Sequence, residues 1–287
     1  MKWTTLRKLS IALVVVTMLL LTAASVSAWP LFPDNNPVTA QVPVIMYHVI
    51  TTNSGEIGKW GITPKELEAD LLYLKNNGYT TVLVEDLIKF VDGKLTLPER
   101  PIMLTFDDGR TSDYTYLLPL LKTYEMKAVL SIVGTFADKY SGTECLKKPH
   151  MGWEQISELS KSGLVEIQCH SFNLHGKTGS GKLKGESLET YQARLKADLL
   201  KNRALILEHT GKKPTSFAYP LGIISQGSQE VLQEIDLQAS FTCTHANNTI
   251  TQGQPEGLFM LNRFNRPSEV CVGSILSKLG EKSPQIL

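Results

Sequence analysis

The chain has 287 residues, of which 42% are hydrophobic and 20% are charged, and its formal net charge is +1. This composition is typical of a globular protein, and the length allows one large α/β domain or two small ones. Because basic residues barely outnumber acidic ones and no long acidic run occurs, we expect neither a nucleic-acid partner nor extended disorder.

Residues 1–28 have the composition of a secretory signal peptide. A positively charged start precedes the apolar run Ile11–Leu21, and small residues then lead to Ala28, the expected last residue removed. The apolar run is short for a membrane span, and an uncleaved N-terminal anchor is the alternative. Both interpretations predict a secreted or cell-surface protein that is peripheral to the cell envelope.

The remaining chain is predicted to form a linker over residues 29–41, rich in Pro and Asn, and one domain over residues 42–287. The candidate strands are Val42–Tyr47, Thr80–Val84, Pro101–Phe106, Ala128–Val133, Val165–Cys169, Ser216–Tyr219, Ala239–Cys243 and Leu258–Phe264. The candidate helices are the segment between Thr63 and Gly78, Asp86–Val91, Ser112–Tyr124, Trp153–Ser162, Ser187–His209, Gln226–Ile235 and Pro267–Leu279. The first of them begins with a Thr-x-x-Glu capping box at Thr63 and Glu66. This alternation favours parallel βα units, and the simplest packing is a single distorted (β/α) barrel with about seven parallel strands.

One segment combines a buried strand with candidate catalytic groups. Pro101–Phe106 can form a strand that is covered on both faces, and Asp107, Asp108 and Gly109 follow it directly. In parallel sheets and barrels, chemistry gathers at the carboxyl ends of the strands, where these two carboxylates would lie. A simple Asp-Asp-Gly turn is the alternative, since both residue types are common in turns.

Histidines follow other candidate strands of the barrel. His48 follows the first strand, and His170, with His175 close behind, follows Val165–Cys169. Because a barrel gathers its strand ends on one face, these side chains can converge with the Asp pair. One carboxylate and two imidazoles can bind a divalent metal ion and leave positions open, while the second carboxylate is free to act as a base.

The other histidines have simpler explanations. His150 lies in a predicted loop, and His209 lies at a helix C-terminus, which favours a cation. His245 follows a strand and remains a second candidate. The turn Tyr219-Pro220-Leu221-Gly222 closes a further strand, and it can be either a plain turn or a rim that presents a backbone N–H to an oxyanion.

The cysteines leave the redox state open. An even number in an exported chain permits two disulfides in three pairings, whereas buried free thiols at Cys169 and Cys243 are the alternative. The other two are Cys145 and Cys271. Since no CxxC spacing occurs, a structural zinc site is not expected.

Four segments together resemble the polysaccharide deacetylase family, which is carbohydrate esterase family 4 or the NodB-homology family. They are VPVIMYH (42–48), TFDDG (105–109), HSFNLH (170–175) and FAYPLG (217–222). The resemblance extends from about Pro43 to Pro267 and implies the NodB-homology barrel.

The resemblance also implies roles for the motif residues. Asp107 would be the general base, and Asp108, His170 and His175 would bind one divalent metal ion. Zinc is the first expectation, and nickel, cobalt, iron and manganese are alternatives. The reaction would hydrolyse the acetamide of N-acetylglucosamine units in an extracellular or cell-wall polysaccharide and release acetate.

Three departures from the commoner members resemble one subgroup. The two metal-binding histidines are five residues apart rather than four, Ala218 replaces an Arg that pairs with the base, and residues 261–267 lack the Leu-x-His acid motif. The subgroup that deacetylates poly-β-1,6-N-acetylglucosamine shares these features, and its acid His follows an N-terminal strand, as His48 does here. His48 would then be the acid, with His245 as the alternative, and what orients the base is left open.

The substrate-binding residues follow from the same resemblance. The backbone N–H of Leu221, in a rim with Tyr219 and Pro220, would stabilise the oxyanion. Trp60, Trp153 and Tyr219 are candidate surfaces for a sugar ring, with ordinary packing as the alternative.

Other functions are also consistent with the sequence. The first is deacetylation of peptidoglycan or chitin oligomers by the same chemistry, and the second is a non-catalytic, exported carbohydrate-binding protein on this scaffold. A serine esterase is disfavoured because no G-x-S-x-G occurs. We expect a monomer.

Overall fold

The computed structural model describes residues 37–143 and 148–279. The predicted signal segment, most of the predicted linker and Cys145 lie outside the described residues. Among the helices that are described, none has both the length and the apolar character needed to cross a bilayer. Cys169, Cys243 and Cys271 are free thiols.

Strands and helices alternate along the described chain as the sequence predicts. The strands are β1 Thr39–Gln41, β2 Val44–Tyr47, β3 Val49–Ile50, β4 Gly61–Ile62, β5 Thr80–Thr81, β6 Pro101–Asp108, β7 Ala128–Ile132, β8 Val165–Cys169, β9 Ser216–Ala218, β10 Ala239–Phe241, β11 Thr249–Thr251 and β12 Phe264–Asn265. The helices are α1 Pro64–Asn76, α2 Val84–Val91, α3 Leu118–Tyr124, α4 Gly134–Tyr140, α5 Trp153–Lys161, α6 Leu188–Thr210, α7 Ser228–Glu234 and α8 Val272–Ser277.

Seven parallel strands form the main sheet, which confirms the predicted architecture. Their order is β10-β9-β8-β7-β6-β2-β12, and the short β5 pairs with the start of β6. Every residue of β6 is buried, as expected for a central parallel strand covered on both faces. Its neighbours are in register, with Thr105 opposite Met46 on one side and Val129 on the other.

The chain around Leu261 joins the two edges of this sheet. Leu261 forms a parallel bridge with Phe241 of β10, and Phe264 of β12 pairs with Ile45 of β2. The predicted strand Leu258–Phe264 is therefore found later in the chain than expected. A 3₁₀ turn at Pro255–Leu258 and the positive φ of Met260 (65°) prevent extended backbone before Leu261.

Three local features differ from the sequence prediction. Thr39–Gln41, at the end of the predicted linker, forms an antiparallel pair with Thr249–Thr251. Gly134–Tyr140 forms the unpredicted helix α4. The predicted helix Ser112–Tyr124 begins as a π-helical turn at Asp113–Leu117 before α3.

Helix α1 holds the chain that follows β12. The predicted capping box is confirmed, since Thr63 and Glu66 exchange hydrogen bonds across the first turn. Buried Asp70 accepts hydrogen bonds from Arg266 Nε at 2.7 Å and from the Val272 N–H at 3.0 Å. Tyr47 of β2 donates to the same carboxylate at 3.2 Å. This network fixes the end of β12 against β2 and α1.

Replacing Arg266 with Met should lower the free energy of unfolding by about 3–5 kcal/mol, because it leaves the buried Asp70 carboxylate without its charged partner. Urea unfolding monitored by circular dichroism measures the change. Lys213→Met is the matched control, since the Lys213–Asp236 pair is exposed on both sides and should contribute less than about 1 kcal/mol. Equal losses in the two variants would contradict a stabilising role for the buried pair.

Candidate metal centre and active site

The two neighbouring carboxylates at the end of β6 point to different surroundings. Asp107 continues the strand opposite Ser131, whereas Asp108 has a left-handed backbone (φ 75°) and begins the turn. Gly109 follows with φ 68°, and a Cβ there would meet Ile132 Cγ2 at 3.1 Å. The left-handed backbone therefore favours a glycine, and a larger residue would crowd the Ile132 side chain of β7.

Asp108, His170 and His175 converge on one point. Asp108 Oδ1 lies 3.0 Å from His175 Nε2 and 3.6 Å from His170 Nε2. One possible ligand atom from each residue lies within 4.8 Å of the others. The predicted ligands thus come together at the carboxyl ends of β6 and β8.

The donor atoms of this cluster fit a divalent metal ion. His170 Nδ1 donates to the Ala218 carbonyl oxygen at 2.8 Å, so that the lone pair of Nε2 faces Asp108. Asp108 Oδ1 is buried, and within the described part of the chain it makes no aligned hydrogen bond. A carboxylate oxygen and two imidazole nitrogens form a ligand set typical of zinc and related ions.

Arg110 holds the other oxygen of the Asp108 carboxylate. Its Nη2 and Nε donate to Oδ2 at 3.0 and 3.3 Å, which leaves Oδ1 toward the histidines. Burial raises the pKa of Asp108, but His175, His170 and Arg110 together outweigh burial and hold the pKa well below its ordinary value. Asp108 is therefore ionised, as a metal ligand must be.

Asp198 of helix α6 shapes the loop that carries His175. Its carboxylate accepts hydrogen bonds from the backbone N–H groups of Phe172 and Asn173 at 2.7 and 2.8 Å. Ser171 has a positive φ of 80°, and its hydroxyl accepts from the Leu174 N–H at 3.0 Å. This loop conformation allows two histidines five residues apart to meet at Asp108.

Arg263 is the partner of Asp107 that sequence reasoning missed. Its Nη1 donates to Asp107 Oδ1 at 2.9 Å, its Nη2 lies 2.9 Å from Oδ2 in the ion pair, and its Nε donates to the Thr242 carbonyl at 2.8 Å. Both side chains are buried. Burial raises the pKa of Asp107, but the charge and hydrogen bonds of Arg263 outweigh burial and keep this pKa below its ordinary value.

Only a general signal could have identified Arg263. It lies within the segment 261–267, and an arginine in a predicted barrel strand is unusual enough to indicate a buried anion beside it. The pairing partner could not be chosen because 156 residues separate the two side chains.

His48 faces the same carboxylate from β2. Its Nε2 lies 4.0 Å from Asp107 Oδ2, and its ring contacts the edge of Trp60 with the ring centroids 4.7 Å apart. The Nδ1 atom is buried and has no hydrogen-bond partner among the described residues. Burial lowers the pKa of His48 from its ordinary value of 6.5, although the charges of Asp107 and Asp108 oppose the shift.

The turn after β9 lies where the sequence predicts it, but its backbone conformation and hydrogen bonds were not expected. Leu221 is 55% exposed and has a left-handed backbone (φ 59°). The Gly222 and Ile223 N–H groups, rather than that of Leu221, donate the two hydrogen bonds of the turn. Pro220 is buried, and the fully buried Tyr219 ring pairs its hydroxyl with Ser228, so this ring does not offer a surface to a sugar.

The remaining candidate site residues differ in how far their side chains are exposed to solvent. Trp60 is 45% exposed beside His48, whereas Trp153 is buried, bonds to Asp138 and stacks on His209. His245 is exposed and contacts the Phe264 ring at 6.0 Å between centroids. Among the three tryptophan and tyrosine candidates, Trp60 is therefore the one with an accessible ring at the site.

Comparisons with known proteins agree with the fold and with the family that the sequence motifs indicate. The sequence model of the family described as polysaccharide deacetylase matches residues 94–240. The poly-β-1,6-N-acetyl-D-glucosamine N-deacetylase of Escherichia coli K12 is 26% identical over 95% of this chain and 45% of its own length. The enzyme of the same name from Staphylococcus epidermidis is 24% identical over 67% of this chain and 65% of its own. The chain thus spans less than half of the Escherichia coli relative.

Solved structures of similar proteins have the same fold. A de-N-acetylase from Aggregatibacter actinomycetemcomitans superposes with a TM-score of 0.71 and 25% identity, covering 83% of this chain and 99% of that one. The deacetylase PplD from Streptococcus pyogenes gives a TM-score of 0.69 with 20% identity, covering 85% and 99%.

A double-mutant cycle should reveal strong coupling between Arg263 and Asp107. Arg263→Met alone should cost about 3–5 kcal/mol of unfolding free energy, because it leaves a buried carboxylate unpaired. The double variant Arg263→Met/Asp107→Leu should lose less than the sum of the single variants. Urea unfolding in the presence of a chelator measures all four proteins, and additive losses would contradict the coupling.

Proposed function

Since the chain belongs to the polysaccharide deacetylase family, we propose that it hydrolyses the acetamide of N-acetylglucosamine units in an extracellular or cell-wall polysaccharide and releases acetate. The observation that carries the proposal is the convergence of the Asp108–His170–His175 cluster with the Asp107–Arg263 pair and His48. Poly-β-1,6-N-acetylglucosamine is the first substrate to test, because two relatives are named for it.

Asp108, His170 and His175 would hold one divalent metal ion in this proposal, zinc first, with nickel, cobalt, iron and manganese as alternatives. When bound, such an ion supplies Lewis acidity that activates water and polarises an amide carbonyl. The protein contributes orientation, since the Ala218 carbonyl fixes His170 and Arg110 fixes Asp108. These contacts support a site that is formed before the ion arrives.

Asp107 would be the general base. Arg263 favours its ionised form, and one hydrogen bond and one ion-pair contact, both at 2.9 Å, hold the carboxylate in place. It would accept the proton of the attacking water as that water adds to the acetyl carbon. Arg263 would act as a positioning residue, because it touches the base and not the substrate.

His48 would be the general acid. An amine leaves readily only after it is protonated, and His48 is the histidine beside the proposed base, with its Nε2 4.0 Å from Asp107 Oδ2. Because burial lowers the pKa of His48, its protonated imidazolium is a stronger acid than an exposed one. The nearby carboxylates would favour that charged form while the reaction proceeds.

Leu221 and Trp60 would bind the sugar unit. The backbone N–H of Leu221 would donate to the developing oxyanion, while Tyr219 and Pro220 support the turn from the core. The exposed Trp60 ring beside His48 would pack against the apolar face of a pyranose. We further propose that the protein works outside the cytoplasmic membrane, as a monomer that is secreted or peripheral to the envelope.

Metal titration tests the ligand set directly. Asp108→Asn and His170→Gln should each weaken Zn²⁺ binding to the metal-free protein by more than about tenfold in calorimetry, because each removes a ligand atom. His209→Gln should bind as the unchanged protein does, since His209 stacks on Trp153 away from the cluster. Unchanged affinity in both ligand variants would show that the ion binds elsewhere.

Acetate release from a substrate panel tests the reaction and the acid. The panel contains β-1,6- and β-1,4-linked N-acetylglucosamine oligomers and peptidoglycan, each with the Zn²⁺-loaded protein. His48→Ala should lower kcat by about 10²–10⁴-fold, the usual contribution of general acid–base catalysis. His245→Ala is the matched control and should retain activity.

If His245→Ala lost activity and His48→Ala retained it, His245 would be the acid. Activity on peptidoglycan or β-1,4-linked oligomers alone would reassign the polymer and leave the chemistry intact. Zn²⁺ binding without acetate release from any member of the panel would favour a carbohydrate-binding protein.

A further inference from the structure

A cleft opens beside the candidate site, between the segments 49–56 and 110–116, and is called here the Tyr116 cleft. Its volume is about 560 Å³, within the range of about 300–1,000 Å³ that is typical of small-molecule sites. One wall begins at Val49, directly after His48, and the other begins at Arg110, two residues after Asp108. Arg110 links the cleft to the proposed metal centre, because it lines the cleft and its Nη2 donates to Asp108 Oδ2 at 3.0 Å.

The walls of the cleft are fixed by hydrogen bonds. The Val49 N–H donates to the Trp60 carbonyl at 3.0 Å, and the Thr51 N–H donates to the Ile62 carbonyl at 2.8 Å. Across the cleft, the Ile50 N–H reaches the Ser112 hydroxyl at 3.4 Å. Because both walls are held in place, a ligand would find a formed surface and would lose little affinity to ordering of the loop.

The charges that line the cleft do not favour an anion. The Lys148 amino group is buried and donates to the carbonyls of Tyr140 and Thr143 at 2.8 Å each. The Arg110 guanidinium is paired with Asp108. Glu56 lies exposed at the opposite wall, where its Oε2 accepts from Thr51 Oγ1 at 2.8 Å.

The groups that remain available match a neutral sugar ring. Arg110 Nη1 makes no hydrogen bond to residues 37–143 or 148–279 and can donate, whereas the Glu56 carboxylate can accept. The half-buried Tyr116 side chain lines the cleft and can offer an aromatic surface there. Sugar rings combine hydroxyl donors and acceptors with apolar C–H faces, and this combination of groups complements them.

We propose that the Tyr116 cleft is a subsite for a neutral pyranose unit of the polysaccharide, next to the unit whose acetamide is hydrolysed. The inference rests on the proposed function, which supplies the polymer and the position of the reacting unit. A subsite of this kind makes the enzyme select chain length, because only an oligomer that reaches the cleft gains its contacts.

The test compares the dependence on oligomer length between variants. We expect kcat/KM of the unchanged Zn²⁺-loaded protein to rise with length across β-1,6-linked N-acetylglucosamine oligomers of two to six units. Tyr116→Ala and Glu56→Gln should each lower kcat/KM on the longer oligomers by about five- to tenfold, as expected for the loss of one contact in a subsite. Both variants should leave kcat/KM on the shortest active oligomer unchanged. Tyr116→Phe should retain the rise, because the ring remains.

Tyr124→Ala is the matched control, since Tyr124 lies at the far end of α3 and bonds to Glu68 away from the cleft. A Tyr116→Ala variant that loses activity equally on all lengths, or on none, would overturn the subsite. Calorimetric binding of the hexamer by the same proteins gives a second readout that does not require turnover. Binding that Tyr116→Ala weakens, with no acetate released by the unchanged protein, would support the subsite and reject the proposed function. Binding that is absent or insensitive to Tyr116→Ala would reject the subsite, whichever result acetate release gives.

Discussion

The buried ion pair between Arg263 and Asp107 links the closure of the sheet to the chemistry of the site. Removing two charges from water is costly, and such a pair is favourable only when its geometry is good and its other hydrogen bonds are satisfied. Here the guanidinium makes two 2.9 Å contacts with the carboxylate and donates to the Thr242 carbonyl. The chain around Leu261 must lie between β10 and β2 for these contacts to form. The position of the last strand and the ionisation of the proposed base therefore depend on each other.

The same constraint explains how two adjacent carboxylates can have different roles. Asp107 remains in extended backbone and faces Arg263 and His48, whereas the left-handed conformation of Asp108 turns its side chain toward the histidines. Each carboxylate also has its own arginine, since Arg110 contacts Asp108 alone. The separation of partners keeps both groups ionised without placing their charges in one shared pocket.

Local signals in the sequence predicted much of the fold and the ligand cluster. The capping box at Thr63, the apolar run of β6 and the strand–helix alternation depend on neighbouring residues, and all three are found. Helix α4 was not predicted because its seven residues are too few for a helical period to stand out. Tyr219 is a candidate sugar surface by sequence but is fully buried, because a residue that is both aromatic and polar does not show from sequence alone whether its ring packs in the core or faces a ligand.

Arg263 could not be predicted because its role is set by three-dimensional position and not by its place in a motif. The commoner pattern of the family has an arginine where β9 carries Ala218, and that residue is fully buried here. The Ala218 carbonyl accepts the hydrogen bond of His170, and the guanidinium that pairs with Asp107 comes from the segment before β12. A base buried in a barrel requires a cation beside it, but any strand that borders the interior can supply one. The chemistry therefore requires a positive charge beside the base but does not determine which segment of the chain supplies it. The sequence motif alone thus shows a missing arginine, although the fold provides one from another segment.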